Sequence, residues 1–312
     1  MSSRPRVVWV DEPTVLPAEF LARVREFCEF NVMNGMPGPD EVVRRLRGAE
    51  IAVAEWTLFD EGLISRLGSV RYLCLVTTAA DYVDVEAARR HGIVVTNCPS
   101  YSAASVAEYV IGALIVADRA MNASNAEAKL GRSHVYHPFL GRGLEKSTLG
   151  LVGVGTIGRQ IAKRAAALGM TVLGCNRSGG PVPGVKIASL EQVLRSADYV
   201  SIQVPYSAAT HHLISGAELD LLARHAILAN VSRARVLDEQ ALADRLASGR
   251  IRGAILDDVS DPVRSRLVSL PAALVTTGIA WFTEHAIHRN FNELEQTLRS
   301  CVADAPINVV DP

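Results

Sequence analysis

Residues 149–178 read LGLVGVGTIGRQIAKRAAALGMTVLGCNRS, and this stretch decides the fold. The apolar run 149–154 predicts a short buried strand, and the run 171–174 predicts a second one. Between them the pattern predicts a helix over 156–169 that ends at a glycine, the residue most often found just past a last helical turn. A strand, a glycine-rich turn, a helix and a strand within about 30 residues are typical of a dinucleotide-binding unit.

The turn before the helix carries three glycines in the spacing G-x-G-x-x-G. Gly153 permits the tight turn, Gly155 lets the backbone approach a pyrophosphate, and Gly158 lets the helix pack closely on the strand. The unpaired N–H groups at the start of the helix favour negative charge, so we expect the phosphates there. The predicted coenzyme-binding residues of this turn are Gly153, Gly155, Thr156, Ile157 and Gly158.

The end of the second strand departs from the usual pattern. An acidic residue normally stands there and binds the 2′-hydroxyl of the adenosine ribose. Here the residues are Asn176, Arg177 and Ser178. Loss of a carboxylate and gain of a guanidinium and a hydroxyl suit a 2′-phosphate. The sequence therefore favours NADP(H) as the coenzyme, and NAD(H) is the alternative if Arg177 is only a solvated loop residue.

The composition limits the other classes of protein. A chain of 312 residues suits two domains, and 49% hydrophobic residues suit a sizeable core. A net charge of -1 gives no reason to expect nucleic acid or an anionic membrane as a partner. The five cysteines show no C-x-x-C spacing, which suits reduced thiols. Because no signal peptide or membrane-length apolar run is visible, we predict a cytoplasmic protein.

Strand and helix patterns alternate on both sides of the quoted unit. Residues 6–95 contain four strand patterns, and helix patterns lie near 17–30, 39–47, 60–67 and 85–91, which predicts an α/β domain of its own. A long apolar helix is predicted over 102–120, and an irregular loop over 131–143. The strands predicted after the quoted unit lie near 199–203, 226–230, 253–256 and 273–276. A last amphipathic helix begins near Thr283, a suitable N-cap.

Further blocks, ordered along nearly the whole chain, resemble the D-isomer-specific 2-hydroxyacid dehydrogenases. They are 81–84, 87–97, 105–108, 153–158, 204–205 with Thr210, 230–238 and 253–257. The resemblance implies two doubly wound parallel-sheet α/β domains, Rossmann-like and flavodoxin-like, with the active site in the cleft between them. The substrate domain would be 1–101 plus 281–312, and the dinucleotide-binding domain 102–280. It also implies a small 2-oxo or 2-hydroxy acid as substrate and a homodimer built largely on the coenzyme domains.

The resemblance also implies roles for single residues. Arg233 matches the catalytic arginine, whose guanidinium can hold the substrate carboxylate and polarise the carbonyl together. Asp257 matches the aspartate that binds the nicotinamide carboxamide. The remaining positions matched to the coenzyme site are Val204, Pro205, Thr210, Val231 and Ser232.

The loop that binds the substrate carboxylate in this family is usually rich in glycine. Here residues 77–81 read TTAAD, and the candidates are Thr78, Ala79 and Ala80. Alanines keep the backbone N–H donors but narrow the conformations open to the loop. Tyr101 is a further candidate for the substrate pocket, and a plain structural aromatic residue is the alternative.

The family's general acid, a histidine just before the last helix, is missing. Aligning Ile279 and Ala280 with their counterparts puts Gly278 at the histidine position, and glycine cannot donate a proton. The partner glutamate is also not intact, because its nearest match, Asp261, lies one residue early and is one methylene shorter. His285, in the first turn of the last helix, is the first candidate replacement, and a water molecule is another. The weaker candidates are His134, His137 and His288.

Three functions are compatible with these residues. The first is an NADP(H)-dependent oxidoreductase for a 2-oxo or 2-hydroxy acid, larger than pyruvate because Gly278 opens space. Loss of a positioned acid costs on the order of 10²–10⁴ in rate, so this enzyme would be slow on simple 2-oxo acids. The second is a dinucleotide-binding pseudoenzyme that acts as a sensor or scaffold. The third is different chemistry on the same scaffold, in which the coenzyme is not consumed or the substrate supplies its own proton.

Overall fold

Strand and helix alternate along most of the chain in the computed structural model, which describes residues 4–137, 139–177 and 179–311. The strands are β1 (Arg6–Trp9), β2 (Glu29–Val32), β3 (Ile51–Ala54), β4 (Tyr72–Leu75), β5 (Val94–Thr96), β6 (Thr148–Val152), β7 (Thr171–Cys175), β8 (Lys186–Ile187), β9 (Tyr199–Ile202), β10 (Ile227–Asn230), β11 (Gly253–Leu256) and β12 (Ala273–Val275). The helices are α1 (Ala18–Val24), α2 (Pro39–Arg45), α3 (Glu61–Ile64), α4 (Val85–Arg90), α5 (Ala103–Asp118), α6 (Met121–Lys129), α7 (Thr156–Ala167), α8 (Leu190–Ser196), α9 (Gly216–Leu221), α10 (Glu239–Ala247), α11 (Asp261–Ser269) and α12 (Glu284–Val302).

The chain divides into two units. Unit 1 consists of Met1–Ser102 with Thr283–Pro312, and unit 2 is Ala103–Phe282. The last helix therefore belongs to the same unit as the start of the chain. It begins where the sequence predicts, since Thr283 is its N-cap and the hydroxyl of Thr283 accepts a hydrogen bond from the Ala286 N–H at 3.1 Å.

Unit 1 contains a five-stranded parallel sheet in the order β2-β1-β3-β4-β5. The residues of β3 and β4, IAVA and YLCL, are buried along their whole length, as is usual for parallel strands covered on both faces. Helices α2, α3 and α4 contribute to the apolar cluster on one face. On the other face α12 packs against α1 and β4, and Phe291 contacts Trp9 and Phe20 there.

The first helix is shorter than its sequence pattern predicts. The pattern predicts a helix over 17–30, whereas α1 ends at Val24 and the residues from Glu29 form the edge strand β2. Phe30 is buried and packs edge-to-face on Phe20, with ring centroids 5.8 Å apart. This contact, together with the pairing of β2 to β1, outweighs the local helical preference.

A buried carboxylate joins the ends of β1 and β3. Asp11 accepts hydrogen bonds from the indole N–H of Trp9 at 3.0 Å and from the backbone N–H groups of Trp56 and Thr57, both at 2.8 Å. Burial raises the pKa of the neighbouring Glu55, and the charge of Asp11 adds to this effect. Acidic side chains that no sequence pattern singles out therefore organise the carboxyl edge of this sheet.

Unit 2 contains a seven-stranded parallel sheet in the order β12-β11-β10-β9-β6-β7-β8. Leu114 of α5 and Ile161 of α7 belong to the apolar cluster on one face. Helices α8, α9, α10 and α11 contribute to the cluster on the other face. The neighbours β6 and β9 mark the point where the strand order reverses, which is where open α/β sheets bind ligands. The predicted fold class, two doubly wound parallel-sheet α/β domains, is confirmed.

Candidate coenzyme site and the residues around Arg233

The predicted coenzyme-binding residues of unit 2 follow the carboxyl ends of its strands. Because the strands are parallel, these ends meet at one edge of the sheet. The glycine turn follows β6, Asn176 follows β7, Val204 and Pro205 follow β9, the segment Val231–Arg233 follows β10, and Asp257 follows β11. Gly278 lies beyond β12 at the same edge. The structure thus places residues from 153 to 278 of the sequence along one edge of the sheet.

The three glycines of the turn differ in what surrounds them. A Cβ at Gly153, whose φ is +97°, would lie 2.7 Å from the carbonyl oxygen of Gln203, and one at Gly158 would lie 2.5 Å from that of Gly153. A Cβ at Gly155 would meet no protein atom within 4 Å. Gly155 is also the N-cap of α7. Because glycine has no side chain, nothing at this position covers the first N–H groups of the helix. This arrangement fits the approach of a phosphate.

The end of β7 offers a buried acceptor. The amide Nδ2 of Asn176 donates to the carbonyl of Gly180 at 3.2 Å, whereas its Oδ1 is buried without a partner among the described residues. A buried acceptor of this kind suits a ligand hydroxyl, so the residues present fit a nucleotide. Arg177 follows on the surface. Ser178, which the sequence adds to this group, lies outside the described residues.

The loop after β9 is fixed by Thr210. Its hydroxyl donates to the carbonyl of Pro205 at 2.8 Å and accepts from the backbone N–H of Ser207 at 2.8 Å. Since a hydroxyl has one hydrogen, this donor is already in use within the loop. Thr210 therefore shapes the segment that carries Val204 and Pro205, and its contact with a coenzyme stays a prediction.

Arg233 lies on a loop that two polar side chains hold in place. The Oδ1 of Asn230 accepts from both the backbone N–H (3.1 Å) and the hydroxyl (2.8 Å) of Ser232, and its Nδ2 donates to the carbonyl of Arg233 at 3.0 Å. The Oδ2 of Asp258 accepts from the N–H of Ala234 at 3.1 Å. No sequence pattern assigns a role to Asn230 or Asp258. Asn230 is a polar residue at the end of an otherwise apolar strand, and this sequence feature could have indicated its role.

Asp257 joins the end of β11 to the turn after β12. Its carboxylate accepts from the Thr276 hydroxyl at 2.5 Å and from the N–H groups of Ile279 and Ala280 at 2.9 and 2.8 Å. Tyr109 contacts the same threonine oxygen at 2.6 Å, and Tyr109 must be the donor because the threonine hydrogen points to Asp257. Burial raises the pKa of Tyr109, which keeps this hydroxyl protonated. The predicted contact of Asp257 with a carboxamide stays a prediction.

The turn that Asp257 fixes contains Gly278. Its φ is +79°, a left-handed conformation that costs other residues about 1–2 kcal/mol. A Cβ there would meet only the carbonyl oxygen of Asp257, at 3.9 Å, so space is available for a side chain. The backbone conformation, rather than crowding, therefore favours glycine at this position.

The residues predicted in place of the missing acid pair, Asp261 for the partner glutamate and His285 for the histidine, are both exposed. Asp261 is the first residue of α11, and its side chain is 96% exposed and lies 3.4 Å from Arg264, a surface pair of little energetic weight. His285 is exposed in the first turn of α12 in unit 1. One turn later, the Nδ1 of His288 lies 3.2 Å from the amide of Asn292. The catalytic roles given to Asp261 and His285 stay predictions.

The predicted substrate-binding residues of unit 1 follow β4 and β5. The Thr78 hydroxyl donates to the carbonyl of Cys98 at 2.8 Å, and the Thr78 carbonyl accepts from Asn97 at 2.6 Å. Ala79 and Ala80 are the half-buried residues that follow. Tyr101 is buried, and its backbone N–H donates to Glu293 at 3.1 Å. These contacts fix the loops, and substrate binding there stays a prediction.

Two features are absent from the part of the chain that the structure describes. Among these residues, no group of three or more His, Cys, Asp or Glu side chains could hold a metal ion. In the same residues, no helix is both long and apolar enough to cross a membrane.

Comparison with known proteins identifies the family. Residues 111–280 match the model of the D-isomer specific 2-hydroxyacid dehydrogenase NAD binding domain. Glycerate dehydrogenase of Methylorubrum extorquens is 31% identical over 303 residues, which cover 93% of this chain and 95% of that protein. Hydroxypyruvate reductase of Thermotoga maritima is 28% identical over 299 residues, with 93% and 96% coverage. Among solved structures, the acyclic imino acid reductase Bsp5 in complex with NADPH and D-Arg has a TM-score of 0.96 at 33% identity and covers 98% of this chain and 100% of its own.

The fold and these matches therefore place the chain in a class of nicotinamide-dinucleotide oxidoreductases. The chain belongs to the D-isomer-specific 2-hydroxyacid dehydrogenase family, and the family predicted from the sequence is confirmed. The coenzyme class, a nicotinamide dinucleotide, is confirmed as well.

Two alanine substitutions in the glycine turn test the geometry. Gly158→Ala should destabilise unit 2, because the new Cβ would lie 2.5 Å from a backbone oxygen. Gly155→Ala should leave the melting temperature close to that of the wild type but weaken NADPH and NADH binding about tenfold or more, about 1.4 kcal/mol. Thermal unfolding and fluorescence titration measure the two effects. A Gly155→Ala protein that binds both coenzymes as tightly as the wild type would contradict the assignment.

Proposed function

We propose that the protein is an NADPH-dependent reductase of a 2-imino acid, which it converts to a D-amino acid. The observation that carries this proposal is Gly278, which stands at the position of the family's histidine when the neighbouring residues are aligned. The substrate class follows from asking which reduction needs no proton from the protein.

The two kinds of reduction differ in the origin of one proton. Reduction of a 2-oxo acid leaves an alkoxide, which needs an acid within hydrogen-bond reach as it forms. A protonated imine, R–C(=NH2⁺)–COO⁻, already carries that proton, and the product of its reduction is the neutral amine R–CH(NH2)–COO⁻. Bound NADPH would supply the hydride to C2 and become NADP⁺. The amine then takes its last proton from water, so no acid from the chain is required.

Charge favours the same substrate. An imidazolium at position 278 would repel a cationic iminium group a few ångströms away, whereas glycine adds no charge. Both substrates carry a carboxylate that Arg233 could bind. The loop that carries Arg233 is fixed by Asn230 and Asp258. The resemblance to Bsp5, an acyclic imino acid reductase in complex with NADPH and D-Arg, supports both the reaction and the coenzyme. The family's preference for D-isomers supports the configuration of the product.

Reduction of a 2-oxo acid is the second candidate. The match to glycerate dehydrogenase and the retained Arg233 favour it. In this case a water molecule near Gly278 would supply the proton, the rate would be low, and the open space would suit a substrate larger than pyruvate. The dinucleotide-binding pseudoenzyme is the remaining alternative.

A panel of 2-oxo acids with NADPH, each assayed with and without a high concentration of ammonium, separates these functions. We expect NADPH oxidation to be at least tenfold faster with ammonium, because the imine forms in solution, and we expect D-amino acid by chiral chromatography. Equal rates without ammonium, with a 2-hydroxy acid as product, would identify a 2-oxo acid reductase. Tight NADPH binding with no turnover under either condition would identify the pseudoenzyme.

Substitution of Gly278 tests the role of the missing histidine. Gly278→His should lower the rate on the imine at least tenfold and raise any rate on the 2-oxo acid, because it adds an acid that can be cationic. Gly278→Ala is the matched control, since it carries the same left-handed strain of about 1–2 kcal/mol without the imidazole. If Gly278→His keeps the wild-type rate on the imine while remaining folded, the charge argument is wrong.

The preference for NADPH rests on the exposed Arg177. Arg177→Ala should raise the Kd for NADPH about tenfold, because it removes a charged partner of the 2′-phosphate, and should leave the Kd for NADH unchanged. Arg195→Ala, which removes another exposed arginine of unit 2, is the control. A parallel loss of both coenzymes in Arg177→Ala would instead indicate general damage to the site.

We also propose a cytoplasmic homodimer built on unit 2. Support comes from the large apolar side chains exposed on and after α6, a helix with no buried residue: Met121, Leu130, Tyr136 and Leu140. All five cysteines are free, which suits a reducing compartment. Sedimentation analysis distinguishes the dimer from a monomer.

A further inference from the structure

Glu239 is a buried acid beside the loop that carries Arg233. It is the first residue of α10, and it is 5% exposed. Its Oε2 accepts a hydrogen bond from the backbone N–H of Ser260 at 3.0 Å. Its Oε1 is buried and has no hydrogen-bond partner among the described residues.

This pattern of contacts favours the neutral acid. An ionised carboxylate would leave a charged oxygen buried without a donor, which costs far more than burying a hydroxyl. In the neutral form the hydroxyl lies on Oε1, and Oε2 remains the carbonyl oxygen that accepts from Ser260. The start of a helix favours negative charge, but Asp238 already supplies it as the N-cap of α10, where it accepts from the N–H of Ala241 at 2.9 Å.

The charged groups that face Glu239 come from two neighbouring elements. Burial raises the pKa of Glu239, and the charge of Asp258, just after β11, raises it further. The hydrogen bond from Ser260 and the charge of Arg264 on α11 act in the opposite direction. Ionisation of Glu239 would place a second negative charge near Asp258.

Segment 258–260 is fastened at both ends to the residues that follow β10. Asp258 holds the N–H of Ala234, the residue next to Arg233, and Ser260 is held by Glu239. Loss of either contact would free one end of this segment. The backbone position of Arg233 thus depends, through segment 258–260, on the hydrogen bond between Ser260 and Glu239. This hydrogen bond lies in the protein interior.

We propose that Glu239, as a neutral acid, is a positioning residue for Arg233, and that its ionisation as the pH rises weakens binding of the substrate carboxylate. This inference rests on the proposed role of Arg233 in holding that carboxylate. It holds whether the substrate is an imine or a 2-oxo acid, since both carry the carboxylate.

The kinetic test measures KM and kcat for the better of the two substrates over the whole pH range in which the protein stays folded. In the wild type we expect KM to rise at least threefold over this range. Glu239→Gln, which cannot ionise, should remove this rise, and Glu239→Ala should raise KM at least fivefold at every pH. Glu191→Gln, at an exposed glutamate of α8, is the control and should keep the wild-type profile. An unchanged KM profile in Glu239→Gln would overturn the proposal.

A second measurement needs no turnover and therefore survives a failure of the proposed function. Because the pKa of Glu239 is raised by folding, its contribution to stability is complete below the ordinary glutamate pKa of about 4.3 and is lost as the pH rises through the raised value. Urea unfolding of Glu239→Gln and wild type should therefore diverge as the pH rises from the ordinary pKa to the raised one, with the glutamine variant gaining in relative stability, and run parallel above it. Stability curves that are parallel at every pH would show that Glu239 is already ionised, and the proposal would fail.

Discussion

The carboxyl edge of unit 2 depends on the three hydrogen bonds that the carboxylate of Asp257 accepts. This carboxylate takes the Thr276 hydroxyl and two successive N–H groups, at Ile279 and Ala280, and so fixes the chain after β12 to the end of β11. Ala280 is buried, so without this acceptor its N–H would be left unsatisfied away from water. The turn it fixes has a left-handed residue at Gly278. The residue type that fits this backbone without strain is also the one that cannot donate a proton.

A second feature of this edge is that buried side chains fix the backbone of the loop that carries Arg233. Asn230 donates to the carbonyl of Arg233, and Asp258 accepts from the N–H of the next residue, so the path of the loop is set within the protein. The start of α7 adds the partial positive charge of a helix N-terminus at the same edge. An edge with these charges suits anionic groups, such as phosphates and a carboxylate, in whatever reaction the site performs.

The sequence predicts those features for which the type of one residue indicates what must lie next to it. Gly153 and Gly158 are of this kind, because each glycine marks a close approach, and the structure places backbone oxygens 2.7 and 2.5 Å from their hypothetical Cβ atoms. Contacts between distant residues leave no such mark. The hydrogen bonds of Asp257 with Ala280 and of Glu239 with Ser260 depend on which loops face each other, and the short strand β2 depends on Phe30 packing against Phe20. The sequence therefore predicts the sheets and the nucleotide turn, but not the polar network around Arg233.

The fold does not decide between the two proposed reactions, because both make the same demands on it. Hydride transfer to a 2-oxo acid and to a 2-imino acid needs the same coenzyme, the same grip on a carboxylate and the same face of C2. Only the oxo acid needs an acid beside the reacting group. In the proposed function, the absence of a histidine at position 278 would therefore favour the imine with no change in the sheet, the nucleotide turn or Arg233. If the substrate carries the proton, the role proposed for the chain is to bind the carboxylate, and the residues proposed for it are Arg233 and the buried side chains that fix its loop.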